Sequence, residues 1–234
     1  MDSRHGKGHF DENEYQRGIT LNFGLAGVFG LMFLGLLATA ISALFTVSSP
    51  FMLNLVFHTN ALYFFLFAPL ALVFLAFPRV WDMSPAGAIL LFIVYALLNG
   101  VTLSAIFIVY ALGDIATAFF AAAGMFGIMA IYGAVTKADL SGVGSFLLMG
   151  LFGIIIASVL NWFFVSDTMH MLITYAGIAI FLGLTAYDVQ RLQRLINEHA
   201  GDVPTGVIVK GALHLYLDFI NIFLFLLRLF GRRR

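Results

Sequence analysis

Cysteine is absent from the 234 residues, and charge is scarce, with Asp, Glu, Lys and Arg together making up 10% of the chain. Without thiols there is no disulfide, thiolate zinc site, iron–sulfur cluster or cysteine nucleophile, so any metal must be held by oxygen or imidazole. A soluble domain carries about 25% charged and about 45–50% apolar residues; here 62% are hydrophobic, which excludes a water-soluble globule. An excess of one charge is also missing. The 12 Lys and Arg balance 12 Asp and Glu, leaving nothing to neutralise a phosphate backbone and arguing against a nucleic-acid partner. There is no nucleophile–base motif, His-Glu-x-x-His pair or phosphate-binding glycine loop, and Gly142-Val143-Gly144 carries no dinucleotide signature. The expectation is a protein that is not an enzyme and has no resident cofactor.

What is present is membrane. A hydrocarbon core about 30 Å thick takes about 20 apolar residues per helix, and apolar runs fall at 21–47, 61–77, 85–112, 115–135, 143–165, 169–192 and 213–230. Seven runs predict an all-α integral membrane protein, a multi-pass bundle over 21–234 with the lipid bilayer as its first partner, preceded by a polar amino-terminal segment at 1–20. The first run is too long for a signal-peptide core and is read as a retained span. Short gaps make successive helices antiparallel neighbours; one longer polar link, 193–209, precedes the last span. Neither a soluble domain nor an internal repeat is visible.

Placing the amino terminus in the cytoplasm puts Arg4, Lys7, Arg17, Arg79, Lys137, Arg191, Arg194 and Lys210 inside, while the links after spans one, three and five hold no Lys or Arg. Seven crossings leave Arg228 and the terminal arginines outside, whereas six crossings plus a re-entrant last helix would bring them in; length favours seven. Glycines at 24, 27, 30, 124, 127, 150 and 153 are expected to let helix backbones approach one another. Asn99, Thr102, Ser104, Asn161, Thr174, Tyr175, Thr185 and Tyr187 are expected to bond across helices at about 0.6 kcal/mol each.

An aspartate at mid-span costs about 2.5–3.5 kcal/mol and needs a partner or a water cavity. Asp188 lies four residues before the end of the sixth run and Asp218 five after the start of the seventh, so both sit about 6–8 Å inside one boundary. Two carboxylates at matched depth on sequence-adjacent helices can share one proton, which makes them either a proton-controlled latch or a site for a hard cation such as Ca²⁺. Local alternatives are a salt bridge from Asp188 to Arg191 and a hydrogen bond from Asp218 to His214 or a neighbouring backbone group. His214, Asp218 and Asn221 form one polar stripe on the last helix, which predicts that this helix is central.

Gly183-Leu-Thr-Ala-Tyr187-Asp188-Val-Gln190 and Leu217-Asp218-Phe-Ile-Asn221, with Gly100-Val-Thr-Leu-Ser104, Tyr132-Gly133 and Thr136-Lys137-Ala-Asp139-Leu140-Ser141, resemble the Bax inhibitor-1 (lifeguard) family, its bacterial inner-membrane branch in particular, from about residue 20 to the end. The resemblance implies a last helix enclosed by six others and an aspartate pair, Asp188 and Asp218, acting as a pH-sensitive gate for a calcium leak. Calcium-leaking members also have a basic residue in span two that holds one aspartate when closed. Here 61–77 contains no Lys or Arg, so any leak is expected to persist over a wider pH range, with Arg191 the first substitute latch by spacing. Some bacterial relatives instead modulate a membrane protease, a role that would use the amino-terminal segment and the 193–209 link.

Overall fold

The computed structural model describes residues 6–59, 61–199 and 202–232, with side chains from Thr20 onward. Arg4, Gly201, Arg233 and Arg234 lie outside the described residues, as do the side chains of Lys7, Asp11, Glu12, Glu14 and Arg17. The helices are α1 (Gly6–Ser48), α2 (Pro50–Phe57), α3 (Ala61–Ala71), α4 (Pro85–Leu103), α5 (Ala105–Val109), α6 (Leu112–Val135), α7 (Ser141–Phe164), α8 (Asp167–Glu198) and α9 (Thr205–Phe230), and no strand occurs among the described residues. Seven segments are long and apolar enough to cross a membrane: Thr20–Ser48, Ala61–Asp82, Pro85–Val109, Leu112–Val135, Ser141–Phe164, Asp167–Glu198 and Thr205–Phe230.

Caps set where several helices begin. Ser49, Ser84 and Ser166 accept the backbone N–H of Met52, Gly87 and Met169, and proline follows the first two at a position whose N–H has no intrahelical acceptor. Inside α3, Pro69 cannot donate to the carbonyl four residues back, and the hydroxyl of Thr102 on α4 donates to that oxygen, Phe65 O, at 2.8 Å. Beyond Pro69 the span continues as a π turn over Leu72–Ala76 and a 3-10 turn over Phe77–Asp82.

α9 is central and the most buried span. It packs on α1, α4, α6, α8 and the 3-10 end of the second span, while α7 packs on α8 and stands off α9. The enclosure by six helices is thus open on one side. Tight approaches need glycine at Gly133, where a Cβ would strike the Ala186 backbone of α8, and at Gly100, where it would strike Thr39 O of α1. The sequence-chosen glycines behave differently: Gly24 and Gly150 meet isoleucine side chains, but Gly30, Gly124, Gly127 and Gly153 face open space. Small-residue spacing shows that a backbone could approach, not that one does.

Two boundaries differ from expectation. The 193–209 link is mostly helix: α8 runs to Glu198 and α9 begins at Thr205, because hydropathy marks the bilayer and a helix can project past it. α9 also crosses the whole bundle. The Arg232 N–H donates to Asp114 Oδ2 at the start of α6, and Gly231 lies against the Tyr110 ring, so the helix finishes at the end of the bundle opposite Thr205. This replaces the re-entrant alternative with a full seventh span. Of the polar residues expected to bond across helices, Thr102 does so. Asn99 and Thr174 instead return hydrogen bonds to their own helices' i−4 carbonyls, the nearest acceptors when water is absent, while Thr185 bonds Phe181 O on its own helix and meets Asp218 of α9 across the helix contact.

Candidate functional site

The basic end of the bundle is tied together by α8. Gln190 accepts the Leu140 N–H at 2.9 Å and donates to Ala138 O at 2.7 Å, and Gln193 donates to Ala134 O. Arg194 bonds Asp139 at 2.5 Å, Ser141 Oγ at 2.9 Å and Gln190 Oε1 at 2.6 Å. The guanidinium, with the Ser141 N–H and hydroxyl, holds the Asp139 carboxyl down to about 2 from its ordinary 3.8. Every residue from Ala138 to Ser141 is therefore anchored to α8 or to its neighbour. Sequence reading missed this clamp because Gln190 and Arg194 resemble the solvated end of a helix.

The α8–α9 register places the aspartates. Gly211 lies against Leu192, His214 against Asp188, Asp218 beside Thr185, and Phe225 against Gly177, one antiparallel alignment throughout. The residue level with Asp188 is therefore His214, and Asp218 is a turn further in, about 6 Å. The matched depth expected from the run ends is corrected to this stagger, because α9 starts eight residues before its apolar run. Asp188 Oδ2 lies 3.5 Å from His214 Nδ1, with side-chain exposures of 14% and 48%. His214 thus serves Asp188, not Asp218, and Arg191 forms no ion pair with Asp188 among the described residues. Asp218 is 4% exposed, and its Oδ2 has no hydrogen-bond partner. Asn221 sends its amide to Leu217 O on its own helix at 2.8 Å.

Two cavities meet at this point. One of about 560 Å³ opens at the basic end between the 3-10 turn, α8 and α9. The other, about 550 Å³, fills the gap where α7 stands off α9 and reaches Tyr187, Asp218 and Asn221. Asp188, Arg191 and His214 line both. The arrangement is a mouth that shares one imidazole and one carboxylate with a second, mainly apolar chamber, whose orphaned polar atom belongs to Asp218. Among the described residues no three His, Asp or Glu gather as a metal site.

A further buried network went unnoticed in the sequence. The Tyr216 hydroxyl and Thr39 Oγ1 lie 2.7 Å apart, with Gly35 O and Ala96 O as further acceptors for Thr39. The Tyr216 ring meets Phe92 and Tyr95 edge-on. It pins α9 to α1 and α4 on the side away from the aspartates.

The family described as "Inhibitor of apoptosis-promoting Bax1" matches residues 22–234. The chain is 44% identical over 216 residues to the inner membrane protein YbhL of Escherichia coli K12, covering 90% of this chain and 92% of that protein. It is 41% identical over 230 residues to an uncharacterised protein of Borreliella burgdorferi, covering 94% and 97%. A third relative, YrjE of Lactococcus lactis, is 36% identical over 219 residues, with 92% and 93% covered. With the family match spanning nearly the whole seven-helix bundle, the chain belongs to the Bax inhibitor-1 family of membrane proteins.

Proposed function

We propose that this protein is a proton-regulated cation leak of a bacterial inner membrane, with calcium as cargo, the amino terminus and the basic end of the bundle cytoplasmic, and Asp188 and Asp218 as the gate. The supporting observation is the buried, unpartnered Asp218 oxygen in a chamber that meets an end-facing cavity at the Asp188–His214 pair. A carboxylate oxygen left without a partner in an apolar chamber is costly, and a passing cation or a proton would satisfy it. Two carboxylates with Asn221 and the Thr185 hydroxyl fall short of the six to eight oxygens of a resident calcium site, which suits transit with water completing the shell. No enzymatic step and no resident cofactor enters this reading. His214 takes the place at Asp188 for which Arg191 was the first candidate.

The test is calcium flux in reconstituted vesicles across a pH series, comparing the native chain with Asp188→Asn and Asp218→Asn. The reading expects flux whose pH response disappears in both variants. Unchanged pH dependence in both would remove the mechanism and favour the second reading, a modulator of a membrane protease. That reading draws on the rigid Asp139–Arg194 clamp, which presents a fixed polar surface at the basic end.

A further inference from the structure

The cavity at the basic end holds more positive charge than the gate uses. Lys210 and Arg191 both line it, and Asp188 is its lining carboxylate among the described residues. Asp188 already faces His214. Among the described residues Arg191 has no hydrogen bond or ion pair, and the Lys210 ammonium has only the Trp81 ring, 4.7 Å from its centroid. Trp81 is itself fixed. Its indole lies against Gly206, where a Cβ would come within 2.6 Å of the ring, and Gly206 and Lys210 are one turn apart on the same face of α9. The indole thus covers two successive turns and directs the ammonium at the cavity. Val73, Phe77, Leu195 and Val207 form the apolar part of the wall.

Two unpaired cations beside an apolar wall, at the rim of a membrane-spanning bundle, have the chemistry of a phosphodiester with an alkyl tail. We propose that this cavity binds the headgroup of an anionic phospholipid from the leaflet at the basic end, with Lys210 and Arg191 on the phosphate and Trp81 at the glycerol level. Tryptophan is at home at that depth, and the apolar wall takes the first carbons of the acyl chains. The site also bears on the proposed leak, and this part rests on that reading. A mouth with two free cations repels an approaching cation, and the bound phosphate neutralises it one turn from Asp188, so the lipid acts as an activator.

Binding is measured apart from flux. The native chain in nanodiscs of mixed phosphatidylglycerol and phosphatidylcholine is released into the mass spectrometer, and retained lipid is counted for it and for Lys210→Gln, Arg191→Gln and the double variant. Preferential retention of phosphatidylglycerol is expected, falling about fivefold for each lost charge. Equal retention of the two lipids, or undiminished retention in the double variant, overturns the proposal. Inorganic phosphate added to protein in phosphatidylcholine discs is the second arm. Thermal stabilisation as large as that given by phosphatidylglycerol would assign the site to free phosphate and overturn the lipid assignment; none is expected. Calcium flux in vesicles with and without phosphatidylglycerol is the third arm. Activation by phosphatidylglycerol that is lost in the double variant supports the regulatory step. Flux indifferent to lipid refutes that step alone, and absence of flux in every lipid refutes the leak while the retention result still decides the site.

Discussion

The bond between Thr102 and Phe65 O makes a quantitative claim about how this bundle tolerates a proline. Pro69 removes the N–H that would have reached Phe65 O, and Thr102 supplies a donor from the neighbouring helix at 2.8 Å. Thr102→Val leaves a carbonyl oxygen unsatisfied in a part-buried, apolar setting, which costs about 1–3 kcal/mol. Pro69→Ala restores an intrahelical donor to the same carbonyl, so the threonine hydroxyl becomes redundant there. In the Pro69→Ala background the Thr102→Val cost should fall to a few tenths of a kcal/mol, giving a coupling of about 1–3 kcal/mol in the double-mutant cycle. The weaker 3.3 Å bond from Thr102 to Leu98 O is lost in both backgrounds and cancels. Equilibrium unfolding of the four proteins in one detergent measures the cycle. Additive effects, with Thr102→Val costing the same in both backgrounds, would show that the hydroxyl does not compensate for the proline.

Four further outcomes are expected. Asp218→Leu replaces a buried carboxyl whose Oδ2 has no partner with an apolar group in a mainly apolar chamber, so it should stabilise the protein by about 1–3 kcal/mol while ending the proposed pH-responsive flux; a fall in unfolding temperature would reveal a partner at that oxygen. Val165 ends α7 at φ 43, the left-handed region, so Val165→Gly should raise stability by about 1–2 kcal/mol, and a neutral or destabilising result in thermal unfolding would count against strain at that residue. Because the Asp139 carboxyl is held at about 2 against 3.8, the clamp's contribution is complete above about pH 4 and is lost as pH falls toward 2; amide exchange at Leu140 and Ser141 should accelerate across that window and not between pH 5 and 7. Single cysteines at His58 and Gly231 should react with an impermeant reagent from outside and one at Arg194 should not; the reverse pattern would invert the topology.

The spans were legible because the bilayer sets a length that few other environments impose, and all seven apolar runs became helices. Their ends were not. Gln193, Arg194, Asn197 and Glu198 continue α8 beyond its apolar run, since backbone hydrogen bonding does not stop where hydropathy does. Asp188 and Asp218 stood out as isolated charges, but their partners did not. Neighbours at i+3 and i+4 are the contacts a sequence displays most readily, and both local alternatives were drawn from that set. The contacts formed, Asp188 with His214 and Thr102 with Phe65, link residues 26 and 37 apart, and only helix register brings them together.

That register is fixed by bulk more than by charge, and the aspartates inherit their geometry from it. Phe225 fits over Gly177 at one end of the α8–α9 contact and Leu192 over Gly211 at the other, so a shift of one turn would bring each large side chain against another, Ile173 or Phe181 for Phe225 and Val207 or Leu215 for Leu192. On the far face, Tyr216 ties α9 to α1 and α4 through Thr39, and Ala186 of α8 lies against Gly133 of α6. α9 is therefore held on several sides, while its side toward α7 is open. The aspartates lie beside a gap that packing leaves, staggered by a turn, the outer carboxylate facing an imidazole and the inner one facing the chamber. Sliding of α9 to bring the two level would have to break the glycine contacts first, so a change at the proposed gate falls to side chains, water and ions, or to α7, which stands off α9.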